Sequence, residues 1–183
     1  MRYIQNYVFP LSIKSKLKNK HPHLGDIELD LVFVALRDYF YICLKARHRM
    51  VSMPSQIVDD AWHEFILFTR SYEFFCNKAL KRFLHHTPAE AMSSQVIAQE
   101  GIKRAWRLAC NKANINAKSP TTLPLLFAID AQLGISNGFI YKLNCEMSSY
   151  GYCCTHIGCG GGCSSGCGGD GSGDGCGGGC GGD

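Results

Sequence analysis

At Tyr152 the chain changes character, and that break limits what can fold. The 31 residues from Cys153 to Asp183 hold 15 of the 20 glycines and 7 of the 11 cysteines, and their only large aliphatic side chain is Ile157. Such a segment cannot bury enough apolar surface to offset chain entropy. Residues 151–183 are therefore expected to form a disordered Gly/Cys-rich tail. Any core must come from residues 1–150, enough for one domain of ordinary size. Charge divides at the same point: every lysine and arginine precedes Tyr152, which leaves +7 on the body and −3 on the tail.

The N-terminal segment MRYIQNYVFPLSIKSK has no uninterrupted apolar run and carries Pro10, so it is a poor secretory signal. The best candidate span, Ile27 to Leu44, is broken by Glu28, Asp30, Arg37 and Asp38. It falls short of the roughly 18 clean apolar residues that a membrane helix needs. These features point to a cytoplasmic protein without a membrane span, with its cysteines largely reduced. An odd total of eleven cysteines also does not suit a closed disulfide framework.

The body reads as all-α, a single helical bundle-like domain. Pro10 suits the first turn of a short helix with lysines at 14, 16, 18 and 20. After the punctuation His21-Pro22-His23-Leu24-Gly25, Asp26 has the chemistry of an N-cap. Ile27 to Arg47 then carries a broad apolar stripe of residues 27, 31, 34, 35, 39 and 42 together with 32, 36, 40 and 43. From Ser55 onward, Val58, Ala61, Trp62 and Phe65 share one helical face, and Asp59 and Asp60 complement the helix dipole. Thr69 suits the start of a second helix, with a kink near Phe68–Thr69. A further helix is expected from Gln95 to about Asn114, weakened by Gly101, and a short one from Pro124 to Leu133, closed by Gly134. No segment alternates like a strand for long.

Chemistry concentrates between Pro54 and Pro88. Asp59 and His63 are i, i+4 and meet on one helical turn; a carboxylate that holds an imidazole can orient it for metal binding or proton transfer. His63, Cys76, His85 and His86 form a competent zinc ligand set if the fold gathers them. On one straight helix His63 and Cys76 would diverge, so a shared site needs the kink. The alternative is structural: Trp62 in the core, His63 bonded to Asp59 and the histidine pair at a turn.

The run Val58-Asp59, Trp62-His63, Ile66-Leu67, Thr69, Tyr72, Cys76, Phe83-Leu84-His85-His86 and Pro88 resembles the bacterial glycine-rich domain-containing protein family, related to the plant glycine-rich domain proteins. Departures from the family pattern fall at Phe65, Phe68 and Lys81. The resemblance implies a helical domain and no particular reaction.

In the tail, Cys159, Cys163 and Cys167 follow a C-x3-C-x3-C spacing that Cys176 and Cys180 repeat, while zinc ribbons prefer C-x2-C. With Cys153, Cys154 and His156 these thiols could wrap Zn or Cu(I) in a flexible chain. The competing readings are a plain flexible extension and, less favoured, a substrate for azole-forming modification. The leading expectation is an interaction or soft-metal-binding protein, with a partner protein engaged through the tail. The alternative is a metal-dependent enzyme using Asp59, His63, Cys76, His85 and His86. Nucleic acid, resting on lysines 14–20, is disfavoured because a lysine face on a short amphipathic helix is ordinarily just solvated.

Overall fold

A computed structural model describes residues 2–87, 95–143, 152–154 and 157. The fold is helical. In chain order come α1 (Arg2–Gln5), α2 (Leu11–Lys20), α3 (Asp26–Ala46), α4 (Gln56–Ile66), α5 (Thr69–Ala79), α6 (Gln95–Lys112) and α7 (Leu125–Gln132). A two-residue parallel ladder, β1 (Tyr141–Lys142) with β2 (Tyr152–Cys153), is the only strand pairing among the described residues. None of the described helices is long and apolar enough to cross a membrane.

The 21-residue α3 is the central element and touches α1, α2, α4, α6 and α7. Its start is fixed by Glu28, whose carboxylate accepts from the Gly25 backbone N–H; Gly25, not Asp26, holds the N-cap position. Its buried arc includes Leu29, Val32, Phe33, Leu36 and Phe40, whereas Ile27 and Val34 are exposed. The expected residues Val32, Ala35, Leu36, Tyr39, Phe40, Ile42 and Cys43 are buried, and the stripe departs from expectation at its edge, Ile27 and Val34. The five packing partners decide where that edge falls.

Pro10 precedes α2 and Ser55 caps α4, its side chain accepting from the Val58 N–H at 3.3 Å. The expected break lies between Ile66 and Thr69. Phe68, at φ −83° and ψ 59°, occupies the cap position of α5 without a side-chain hydrogen bond, so the turn is held by packing. Tyr7, Phe9, Phe40, Phe65 and Phe75 make a connected aromatic cluster between the N-terminal segment, α3, α4 and α5. Gly134 ends α7 at φ 62°, as its sequence position suggests.

Gly101 has a role the helix pattern does not disclose. A Cβ there would lie 2.2 Å from Ser52 Oγ and 3.0 Å from the Ser52 backbone N, so glycine lets the 50–52 segment press against α6. Arg104 adds a hydrogen bond to the Met50 carbonyl from the same helix.

Asp130 of α7 ties the two halves together. Only 2% exposed, it accepts from Ser55 Oγ (2.7 Å), the N–H groups of Gln56 (2.7 Å) and Ile57 (3.2 Å), and the N–H of Phe139 (2.9 Å). A carboxylate is thus placed against the positive N-terminus of α4, the helix that carries the candidate site.

Past the body, Cys154 is buried and Ile157 packs against the core. The expected disorder of the remaining tail lies outside the described residues.

Candidate functional site

The two adjacent aspartates of α4 turn to different neighbours, because successive residues on a helix are about 100° apart. Asp60 points inward, 4% exposed, and is held by His21 Nε2 at 2.9 Å and by Lys20. This joins the end of α2 to α4. Asp59 points toward the α5-to-α6 connection and meets two histidines. Its Oδ1 lies 3.1 Å from His86 Nε2, and its Oδ2 lies 3.4 Å from His63 Nδ1. The two imidazole rings lie 4.2 Å apart, centroid to centroid. One donor atom from each of the three residues can be chosen so that all lie within 4.8 Å of one another.

These spacings suit a metal. Ligand atoms about 2.0–2.1 Å from a tetrahedral ion are roughly 3.3 Å apart. They equally suit a metal-free arrangement in which Asp59 orients both rings. Asp59 and His86 are partly buried, and the His63 side chain is 50% exposed, so the cluster opens to solvent on the His63 side. The indole of Trp62 forms the back wall, its ring 4.6 Å from that of His86 in an edge-on contact.

Of the four ligands proposed for the body, His63 and His86 come together, with Asp59 as the third member. Cys76 and His85 are not in that cluster. Cys76 is fully buried, and burial raises its thiol pKa, an unfavourable setting for the thiolate that ligates metals. His85 is exposed and packs on Phe83, with centroids 4.8 Å apart. The two adjacent side chains turn to different neighbours, and only His86 meets Asp59. Thr69 is an exposed first residue of α5, Tyr72 is buried, and Pro88 lies outside the described residues.

Among the tail candidates, Cys153 is disulfide-bonded and Cys154 is buried, its thiol pushed up to about 12 by burial and by the nearby Cys110. His156, Cys159, Cys163, Cys167, Cys176 and Cys180 lie outside the described residues.

The lysine stripe is committed internally. Lys14 pairs with Asp30 (2.7 Å) and Asp26 (3.7 Å), Lys16 with Glu64 (2.6 Å) and Lys20 with Asp60, while Lys18 donates to the carbonyls of Pro22 and Leu24. Sequence reasoning misses the His21–Asp60 pair; the only available signal is a second acid beside Asp59, which the helix dipole already explains. Asp130 is missed as well, because its partners are 73 to 75 residues away on one side and nine on the other.

Comparison with known families corrects the resemblance drawn from the motif. Residues 1–161 match the model of a family described as UCP032817-like, and nothing points to a glycine-rich domain family. The shared short pattern spans only about thirty residues, whereas the family match covers residues 1–161. No curated protein and no solved structure matches the chain.

Proposed function

The chain belongs to the UCP032817-like family, and from that premise we propose that it is a metal-binding helical protein whose body site is Asp59, His63 and His86. The observation that carries this reading is the meeting of three donor groups within 4.8 Å, drawn from α4 and from a segment 27 residues along the chain. Two imidazoles and a carboxylate suit a first-row divalent ion such as Zn(II), Co(II) or Fe(II). With three protein ligands among the described residues, further coordination positions would remain for water, the condition under which an ion acts as a Lewis acid and hydrolytic catalyst rather than as a structural staple. The solvent-facing side at His63 is where such a water, or a substrate oxygen, would enter.

The test is titration of the reduced full-length protein with Co(II), followed by its visible absorption and by tryptophan fluorescence. Trp62 abuts His86, while Trp106 packs on Phe127 and donates to the Ala117 carbonyl. Binding at the body site should quench one of two indoles. Asp59→Asn, His63→Ala and His86→Ala should each weaken binding while leaving the helical circular dichroism intact. Absence of Co(II) and Zn(II) binding to the wild type at millimolar concentration would end the reading.

A second reading, carried by seven cysteines within 31 residues, makes the tail a soft-metal or partner-binding segment. Zn or Cu(I) retained by His86→Ala at full stoichiometry would favour it over the body site.

A further inference from the structure

The segment that delivers His86, residues 81–87, has no regular secondary structure, yet His86 meets Asp59 closely. Something other than a helix must hold it. Leu84 does so from two residues upstream: it is 8% exposed, and Tyr72 of α5 grips its backbone. The Tyr72 hydroxyl donates to the Leu84 carbonyl. Tyr72 is itself fixed, because Trp62 Nε1 donates to its hydroxyl oxygen at 3.1 Å. Phe83 then packs edge-on to the Tyr72 ring at 5.4 Å, and His86 lies against Trp62. The direction of the relay is set by chemistry. An indole N–H can only donate, so the Tyr72 oxygen accepts from it and turns its own proton to Leu84.

We propose that Tyr72, clamped between Trp62 and the Leu84 carbonyl, is the positioning residue of the metal site, holding the His86 segment in its ligating position before metal arrives. This rests on the body-site reading. Groups that orient metal ligands change affinity roughly 10- to 100-fold when removed. Here removal of one hydroxyl leaves both the Trp62 N–H and the Leu84 carbonyl without their partner.

The experiment is a double-mutant cycle on Co(II) affinity in the full-length protein, well below each variant's unfolding midpoint. Tyr72→Phe should weaken binding about tenfold, within the range for outer-layer partners. In a His86→Ala background the same change should have almost no effect, since no His86 remains to be positioned. Phe127→Leu, a core change in the α6–α7 half, controls for stability and should leave affinity unchanged. Wild-type binding with equal losses from Tyr72→Phe in both backgrounds would overturn the positioning role and leave the body site standing. Wild-type failure to bind would overturn both. If Tyr72→Phe does not fold, Phe83→Leu, which removes the edge-on contact of the 81–87 segment with the Tyr72 ring, replaces it in the cycle, with a smaller expected loss of severalfold.

Discussion

Asp130 offers the sharpest test of how this fold is held, because one buried carboxylate serves four donors on two separate segments. Asp130→Ala removes the acceptor for Ser55 Oγ and for the N–H groups of Gln56, Ile57 and Phe139. Ser55 Oγ and the Ile57 N–H are buried, whereas the other two bonds are only partly so and can recover water. An abandoned buried donor costs about 1–3 kcal/mol, so two imply about 2–6 kcal/mol. Loss of a negative charge at the α4 N-terminus adds up to about 1 kcal/mol. A net loss of about 3–5 kcal/mol is expected, a large share of the roughly 5–15 kcal/mol available to a domain. Asp130→Asn keeps the shape and one carbonyl oxygen but turns an NH2 toward donors, and should cost about 2–3 kcal/mol. Urea unfolding followed at 222 nm at pH 7 measures both, with the midpoint falling and the slope unchanged. A loss below about 1 kcal/mol for both variants would refute the view that Asp130 joins α7 to the start of α4.

Three further outcomes follow from the packing. Gly101→Ala should destabilise by about 1–2 kcal/mol in urea unfolding, even though alanine favours helix by about 1 kcal/mol, because the 2.2 Å approach to Ser52 Oγ forces the 50–52 segment outward; a gain in stability would refute this close approach. Burial raises the folded pKa of Asp38 despite Lys112 at 2.8 Å. The folded state therefore binds this proton more tightly than the unfolded one, and the carboxyl's contribution falls as pH rises from the ordinary carboxylate range through the raised value. Against Asp38→Asn, the wild type should lose relative stability over that window in paired urea titrations, and a relative gain would refute the sign. Cys43 and Cys110, with thiols pushed up by burial to about 12 and about 11, and the equally buried Cys76 should resist a thiol reagent at pH 8 until the protein unfolds; labelling of any of these three in the native protein, located by peptide mapping, would contradict their burial.

Much of the helical plan is legible in the residues themselves. Pro10, Ser55, Pro124 and Gly134 sit at or beside helix ends for local reasons of backbone geometry and capping, and the α4–α5 break falls where the apolar pattern changes register. The i, i+4 pair Asp59–His63 is readable for the same reason, since both residues lie on one turn. The histidine that completes the cluster is only half legible. His85 and His86 are equal candidates by spacing, and the choice between them comes from how the 81–87 segment lies against α4.

Residue spacing along the chain determined the helices, their ends and the proximity of Asp59 to His63, because those relations are fixed by a 3.6-residue turn and by local capping. Tertiary structure alone decided the rest. It set the edges of the buried arc of α3 and sent Asp60 to His21 while Asp59 went to His86. It also buried Cys76 away from the ligand set, and committed Lys14, Lys16 and Lys20 of α2 to acids of α3 and α4. Each of these depends on partners outside the residue's own helix, and periodicity carries no information about which partner will arrive.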